Sequence, residues 1–220
     1  MVSSVFSLPY PTPLDGLHGT HGGHAALREY IGDEANRLVE TAVSSGIARD
    51  GQFNPLLLQG ATGTGKTLLA ELIFAHWQKA DGQFQSTTGV EFARQYAQAV
   101  DLQAVDAWRE QYRECTGLVL DGVEALDAKP AAQKELISTI DELLVNDGQL
   151  VVTASSLPVR NPGLFPQLAS RLSSGLLVSL AAPGTHAQQC LLRKLLDQRN
   201  LELDETAWQA LAQWCQQQSP

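Results

Sequence analysis

Cysteine is scarce in this chain and basic residues are outnumbered, and each shortage removes a class of function. The three cysteines, Cys115, Cys190 and Cys215, stand far apart with no C-x-x-C pair. That spacing excludes a disulfide scaffold or zinc framework and fits a reducing compartment, each thiol a small core residue. Fifteen Lys and Arg against 24 Asp and Glu give a net charge of −9, the wrong sign for a protein that grips duplex DNA by counterion release. No run approaches the ~20 apolar residues of a membrane span, so no membrane partner is expected. The opening MVSSVFSLPYPTPL lacks a basic start and carries three prolines, so it does not read as a signal peptide. A cytoplasmic location is the expectation. What remains is ordinary for a globular protein, with 44% hydrophobic and 18% charged residues over 220 positions. That length holds one large domain, or one domain with a small appendage.

Against this background one stretch stands out. Gly60-Ala61-Thr62-Gly63-Thr64-Gly65-Lys66-Thr67 fits the phosphate-loop pattern G-x-x-x-x-G-K-[ST]. The apolar run Pro55–Gln59 before it reads as a buried parallel strand, and Leu68–Ala75 after it is rich in helix formers. Three glycines let backbone N–H groups turn inward around a β-phosphate, and the helix N-terminus adds partial positive charge. Lys66 is placed to reach the β/γ-phosphates, and the Thr67 hydroxyl to ligate Mg²⁺. The sequence therefore predicts binding of a nucleoside triphosphate.

The rest of the chain supplies the supporting elements. Residues 1–26 read as an extended arm; His18, His21 and His24 lie in a glycine-rich segment that offers no rigid metal geometry. Leu27–Ser45 reads as a helix capped by Asp33, with Leu38, Val39, Ala42 and Val43 on its apolar side, and Gly46–Gly51 as a turn. Gln83–Ser86 reads as a short strand. Phe92, Tyr96 and Val100 mark an amphipathic helix, and Val105–Tyr112 a second one carrying Trp108. Gly117–Asp121 is an apolar strand ending in a carboxylate, the Walker B arrangement in which Asp121 holds Mg²⁺. Ala131–Val145 reads as a helix with Leu136, Ile140, Leu143 and Leu144 inward, followed by the strand Leu150–Ala154. Thr153 and Ser155 sit at the strand end where α/β proteins place ligand-facing groups. Phe165–Leu172 and Gly175–Leu180 give one more helix and strand. After Pro183-Gly184 the pattern is all-helical: Thr185 caps a helix with Leu191, Leu192, Leu195 and Leu196, and Asp204 caps one with Ala207, Leu211 and Trp214. Alternating strands and helices predict an α/β fold with a parallel sheet covered on both faces.

These blocks carry a resemblance. FNPLLLQGATGTGKTLLAELI, WREQYRECTGLVLDGVEAL, QLVVTASSLP and LASRLSSGL occur in the order and spacing of the AAA+ domain of DnaA-type replication initiators. The resemblance runs from about Tyr30 to the end. It implies a five-stranded sheet of order 5-1-4-3-2, a nucleotide domain over residues 27–182 and a partial helical lid over 183–220. It implies ATP or ADP with Mg²⁺ as cofactors, held by Gly60 to Leu68, and an adenine pocket near Tyr30, Ile31 and Gly32. It further implies a sensor strand at Thr153–Ser155 and a finger at Arg171 that reaches the γ-phosphate of a neighbouring subunit, so that self-association reports bound ATP.

The departures from that family are specific. Gly122 stands where AAA+ ATPases carry a second acid that orients the attacking water, and Glu124 is the nearby acid able to substitute for it. Slow hydrolysis is the expectation. Ser155 replaces the family's sensor Asp. Of the positions that grip single-stranded DNA, Ala93 and Ala131 have lost the relevant chemistry and Lys129 keeps its charge, so weak single-strand binding at most is expected. The lid stops before the helix that bears a sensor-2 arginine, and no helix-turn-helix has a counterpart. Three functions stay open: a nucleotide switch in a DnaA-type initiator, a stand-alone regulator or helicase loader working through other replication proteins, and a metabolic phosphate-loop kinase.

Overall fold

A computed structural model describes residues 5–9, 11, 29–49 and 51–217. Its centre is a five-stranded parallel sheet formed by β3 (Leu56–Gly60), β4 (Phe84–Thr88), β5 (Gly117–Asp121), β6 (Gln149–Ala154) and β7 (Leu176–Leu180), in the spatial order β4-β5-β6-β3-β7. With these five strands numbered in chain order, that is 5-1-4-3-2, as expected. The central strands β3, β5 and β6 are apolar on both faces because helices cover both, whereas the edge strand β4, Phe84-Gln85-Ser86-Thr87-Thr88, is largely polar. Leu57, Leu118, Leu120 and Val152 point into one core and Leu56, Leu58, Val119 and Val151 into the other, the alternation that a strand's period of two imposes. The second core is closed by α1 (Arg37–Ala48) and α2 (Lys66–Trp77). The first is closed by α3 (Gly89–Asp101), α4 (Val105–Arg113), α5 (Pro130–Val145) and α6 (Pro166–Leu172). Each fully buried leucine contributes about 1.5–3 kcal/mol, so these two layers hold the carboxyl ends of the strands at fixed spacing. Two further helices follow, α7 (Thr185–Gln198) and α8 (Glu205–Gln217).

Several local expectations are corrected. The stretch read as one helix from Leu27 to Ser45 begins with a strand, β2 (Glu29–Gly32), and a 3-10 turn over Glu34–Asn36. β2 pairs antiparallel with β1 (Phe6–Pro9), so part of the expected arm is a strand as well. A four-residue segment is too short for periodicity to reveal, and the paired residues stand 20 to 26 positions apart. Asp33 does cap the 3-10 turn, accepting from the Ala35 N–H at 3.1 Å. Leu38 is 74% exposed rather than inward. Gly46 is no turn: it lies inside α1, where a side chain would press on Leu56, and its carbonyl accepts from Trp77 Nε1. Val100 is exposed, while Phe92 and Tyr96 pack with Trp108 and Tyr112 as an aromatic cluster. Gly184, not Thr185, is the cap residue of α7, and Trp214 is exposed on α8. His18, His21 and His24 lie outside the described residues. Among the described residues no helix is long and apolar enough to cross a membrane.

Candidate nucleotide-binding site

The parallel sheet brings three strand ends to one edge. β3 pairs with β6 in the register Leu58↔Thr153, and β5 with β6 in the register Leu120↔Val152. Gly60, Asp121 and Thr153 therefore emerge together at the carboxyl edge, where open α/β sheets bind ligands. From Gly60 the chain forms a tight loop closed on one carbonyl. Ala61 O accepts from the Thr64 hydroxyl at 2.9 Å and from Lys66 Nζ at 2.8 Å. Gly60 must be glycine here, because a side chain would meet the Leu180 carbonyl at 2.7 Å and the Thr64 hydroxyl at 2.8 Å. Gly63 and Gly65 both take positive φ, 86° and 91°, a conformation that costs other residues about 1–2 kcal/mol. Gly65 caps α2, so the first-turn amides of Lys66, Thr67 and Leu68 have no intrahelical acceptor and face the loop's concavity. Ala61, Thr62 and Gly63 are exposed at its rim.

Opposite the loop sits a carboxylate with two hydroxyl partners. Thr67 Oγ1 donates to Asp121 at 3.0 Å, and the fully buried Thr153 donates to Asp121 Oδ1 at 2.5 Å. Thr153 Oγ1 also accepts the Gly122 N–H at 2.8 Å. One hydroxyl thus fixes both the aim of the carboxylate and the turn that follows it. Gly122 has φ +72° with open space around its α-carbon, so its glycine identity meets a backbone requirement as well as removing an acid. Glu124 lies in the next 3-10 turn, and its Oε2 is buried with no hydrogen-bond partner.

A hydroxyl and a carboxylate are the hard oxygen donors that suit Mg²⁺, which takes few protein ligands and completes its shell with water and phosphate. Among the described residues no group of three His, Cys, Asp or Glu could hold a metal by itself, so the Thr67–Asp121 pair fits magnesium that arrives with a phosphate ligand.

The remaining predicted residues divide. Tyr30 and Ile31 are buried at 4% exposure, and the Tyr30 ring lies so close to Gly65 that a side chain there would approach it to 2.8 Å. Burial, reinforced by the Asp33 charge, pushes the Tyr30 hydroxyl up to about 12. Gly32 lies under the Phe6 ring. Of the three residues expected at an adenine pocket, Tyr30 thus packs against Gly65 of the phosphate loop. Ser155 is exposed, and its carbonyl accepts from Gln59 Nε2 at 3.5 Å. Arg171 is not a free finger in this structure: its guanidinium grips Asp141 of α5 through two bonds of 2.5 and 2.6 Å. That hydrogen-bonded pairing lowers the Asp141 carboxyl and raises Arg171. Lys129 and Ala131 are exposed at the start of α5, whereas Ala93 is buried.

Residues 25–179 match the bacterial DnaA ATPase domain. The chain belongs to that family. The DnaA protein of Helicobacter acinonychis is 26% identical over 183 residues, 83% of this chain and 41% of the relative. Domain III of DnaA from Thermotoga maritima is 26% identical with a TM-score of 0.76, covering 81% of this chain and 76% of that one. A replication initiator DnaA bound to AMPPCP and single-stranded DNA shares the fold, with 24% identity and a TM-score of 0.75 over 81% of this chain and 56% of that one. The chain spans about 41% of the length of the Helicobacter relative. Membership in the DnaA family sets aside the kinase expectation.

Within this DnaA-type domain, several long-range pairings that shape the site gave no signal in the sequence, including that of Asp33, which was legible only as a cap. Asp33 Oδ2 accepts the Gly184 N–H at 2.7 Å, and Asn36 exchanges two hydrogen bonds with Ala181. Glu29 forms an ion pair with Lys194. Together they fasten β2, next to the phosphate loop, to the start of the C-terminal helices. Asp141 was likewise unmarked. Each is a long-range pair, about 30 to 165 positions apart, invisible to local pattern.

Proposed function

We propose that this domain binds ATP or ADP with Mg²⁺ at Gly60–Leu68 and uses the bound nucleotide as a switch for assembly in replication initiation. The observation that carries the reading is the meeting of Thr67, Asp121 and Thr153 at the mouth of a phosphate loop with Lys66 in place. Magnesium would neutralise charge on the β- and γ-phosphates. Lys66 exchanges Ala61 O for phosphate oxygens. Thr67 and Asp121 would hold the metal, with Thr153 keeping Asp121 aimed. Tyr30, Ile31 and Gly32 would line the adenine pocket, with residues 183–220 as a partial lid. Because Gly122 offers no carboxylate to orient water, hydrolysis is slow. Arg171 leaves Asp141 and meets the γ-phosphate of the next subunit. The AMPPCP held by a protein of this fold, an ATP analogue, supports the nucleotide, and the single-stranded DNA on the same protein supports a weak strand contact here through Lys129.

A second reading, a regulator or helicase loader that acts through other replication proteins, is favoured by the net charge of −9 and by Gly122. Both would suit a protein that binds nucleotide and partner rather than one that turns over ATP on DNA. Sedimentation velocity with ATP, ADP and no nucleotide tests the switch. Larger species with ATP alone, lost in Arg171→Ala at unchanged monomer affinity for ATP, are expected. Loss of affinity in the dilute monomeric variant would make Arg171 a local ligand and end the finger reading.

A further inference from the structure

The strand β1 is short, sits far from the phosphate loop in sequence, and lies alongside Tyr30–Gly32. It pairs with β2 in the register Phe6↔Gly32 and Leu8↔Tyr30. A two-stranded ribbon of four residues per strand is marginal by itself, so its place depends on side-chain packing. Phe6 and Leu8 supply that packing against the core cluster that contains Tyr30, Leu69 and Leu180. The Phe6 and Tyr30 rings lie 6.2 Å apart at 44°. Gly32 makes the approach possible: a side chain at that position would collide with the Phe6 ring and come within 3.0 Å of Tyr30. On its other edge Tyr30 meets Gly65, the residue that caps the phosphate-loop helix, with no room for a β-carbon between them. Phe6, Tyr30 and Gly65 therefore form one continuous contact from the N-terminal strand to the first turn of α2. The same β2 segment is tied to the C-terminal helices through Glu29–Lys194 and Asp33–Gly184.

We propose that Phe6 is a positioning residue for the nucleotide base: β1 presses Tyr30 into place and thereby sets the affinity for the base, leaving the phosphate cradle to the loop itself. The proposal rests on the reading of Gly60–Leu68 as a nucleotide site with its base pocket at Tyr30–Gly32. Phe6 meets the Tyr30 ring and Gly32 but is not among the atoms nearest Gly65, which faces Tyr30 Cε2 and Cδ2, so it acts through Tyr30. Removing the Phe6 ring lets Tyr30 rotate away from Gly65 and costs the base its wall. Triphosphate groups would be held by Lys66, Thr67 and backbone amides, none of which Phe6 touches, so their binding is expected to stay unchanged.

The test is calorimetric titration of the full chain and of Phe6→Ala, Phe6→Leu and Gly32→Ala with ATP, ADP and inorganic tripolyphosphate, each with Mg²⁺. Phe6→Ala and Gly32→Ala are expected to weaken ATP and ADP about tenfold, equivalent to about 1.4 kcal/mol, with tripolyphosphate unchanged. Phe6→Leu, which keeps a bulky apolar group against Tyr30, recovers most of the ATP affinity. Unchanged ATP affinity in Phe6→Ala overturns the proposal. So does a parallel loss of ATP and tripolyphosphate, which would make β1 a general support of the fold. A wild-type chain that binds neither ATP nor ADP refutes the nucleotide reading itself, a result distinct from both.

Discussion

Replacing Thr153 with valine keeps the shape of the side chain and removes the hydroxyl that joins Asp121 to Gly122. Thr153 is fully buried, donates to Asp121 at 2.5 Å and accepts from the Gly122 N–H at 2.8 Å. A hydrogen bond to a charged acceptor contributes about 1.5–3 kcal/mol, and a part-buried N–H left without an acceptor costs about 1–3 kcal/mol. The methyl that replaces the hydroxyl returns about 0.8 kcal/mol of burial. The expected net loss is about 3 kcal/mol, a fall of about 6–12 °C in the melting temperature of a domain this size. Thr153→Ser is the control, since it keeps both hydrogen bonds and gives up one methyl, about 1 kcal/mol. Urea unfolding of the three proteins, followed by circular dichroism, measures the difference. The valine variant should be the least stable. If serine costs as much as valine or more, packing of the methyl is what matters at this position, and the proposed hold on Asp121 is wrong.

Gly122→Asp should raise ATP turnover, measured by phosphate release, while costing about 1–2 kcal/mol because φ +72° is left-handed; brisk turnover by the wild-type protein would instead assign water orientation to Glu124. Glu135 is buried on α5 between Arg109 and Arg113, at 2.8 and 2.6 Å. Burial alone would raise its carboxyl, but the two arginine hydrogen bonds outweigh it and hold the group below its ordinary value of 4.5. A depressed carboxyl stabilises the fold above about pH 4.5 and loses that contribution as pH falls below it. Glu135→Gln should therefore cost about 3 kcal/mol near neutral pH and flatten the acid limb of the stability curve; an unchanged limb would mean that other carboxylates set it. Fluorescence anisotropy should show no sequence-specific duplex binding by the monomer, given the net charge of −9; tight, salt-resistant binding would reveal a DNA-reading surface elsewhere.

Much of the sheet could be read from the sequence because buried parallel strands are short apolar runs between loops; β3, β5, β6 and most of β7 have that form, while the edge strand β4 is mostly polar. The phosphate loop was legible for a different reason: its glycines, lysine and threonine are fixed by local backbone geometry. Asp121 was legible as the end of an apolar strand. Thr153 was marked by its position but not by its task, since nothing local says that a threonine will turn inward to a neighbouring strand's carboxylate. β1 and β2 escaped because four-residue strands carry too few residues to display a period, and their pairing crosses a segment rich in glycine and histidine. Arg171 shows the limit most plainly. Its place in LASRLSSGL gave the expectation of a finger to a neighbouring subunit's nucleotide, but nothing local announced that Asp141, 30 positions earlier on α5, pairs with it within the chain.

Calorimetric titration of Mg²⁺-ATP into the wild-type chain and into Lys66→Ala, at a temperature where circular dichroism shows both folded, bears on the site as a whole. Lys66 is partly exposed and its ammonium rests on the Ala61 carbonyl, so its loss leaves the fold standing and takes away the charge aimed at the phosphates. The expected result is one nucleotide bound per chain with Mg²⁺, and binding largely lost in Lys66→Ala. No heat of binding by the folded wild-type protein at millimolar nucleotide, or equal affinity in the two proteins, would contradict a nucleotide site at Gly60–Thr67.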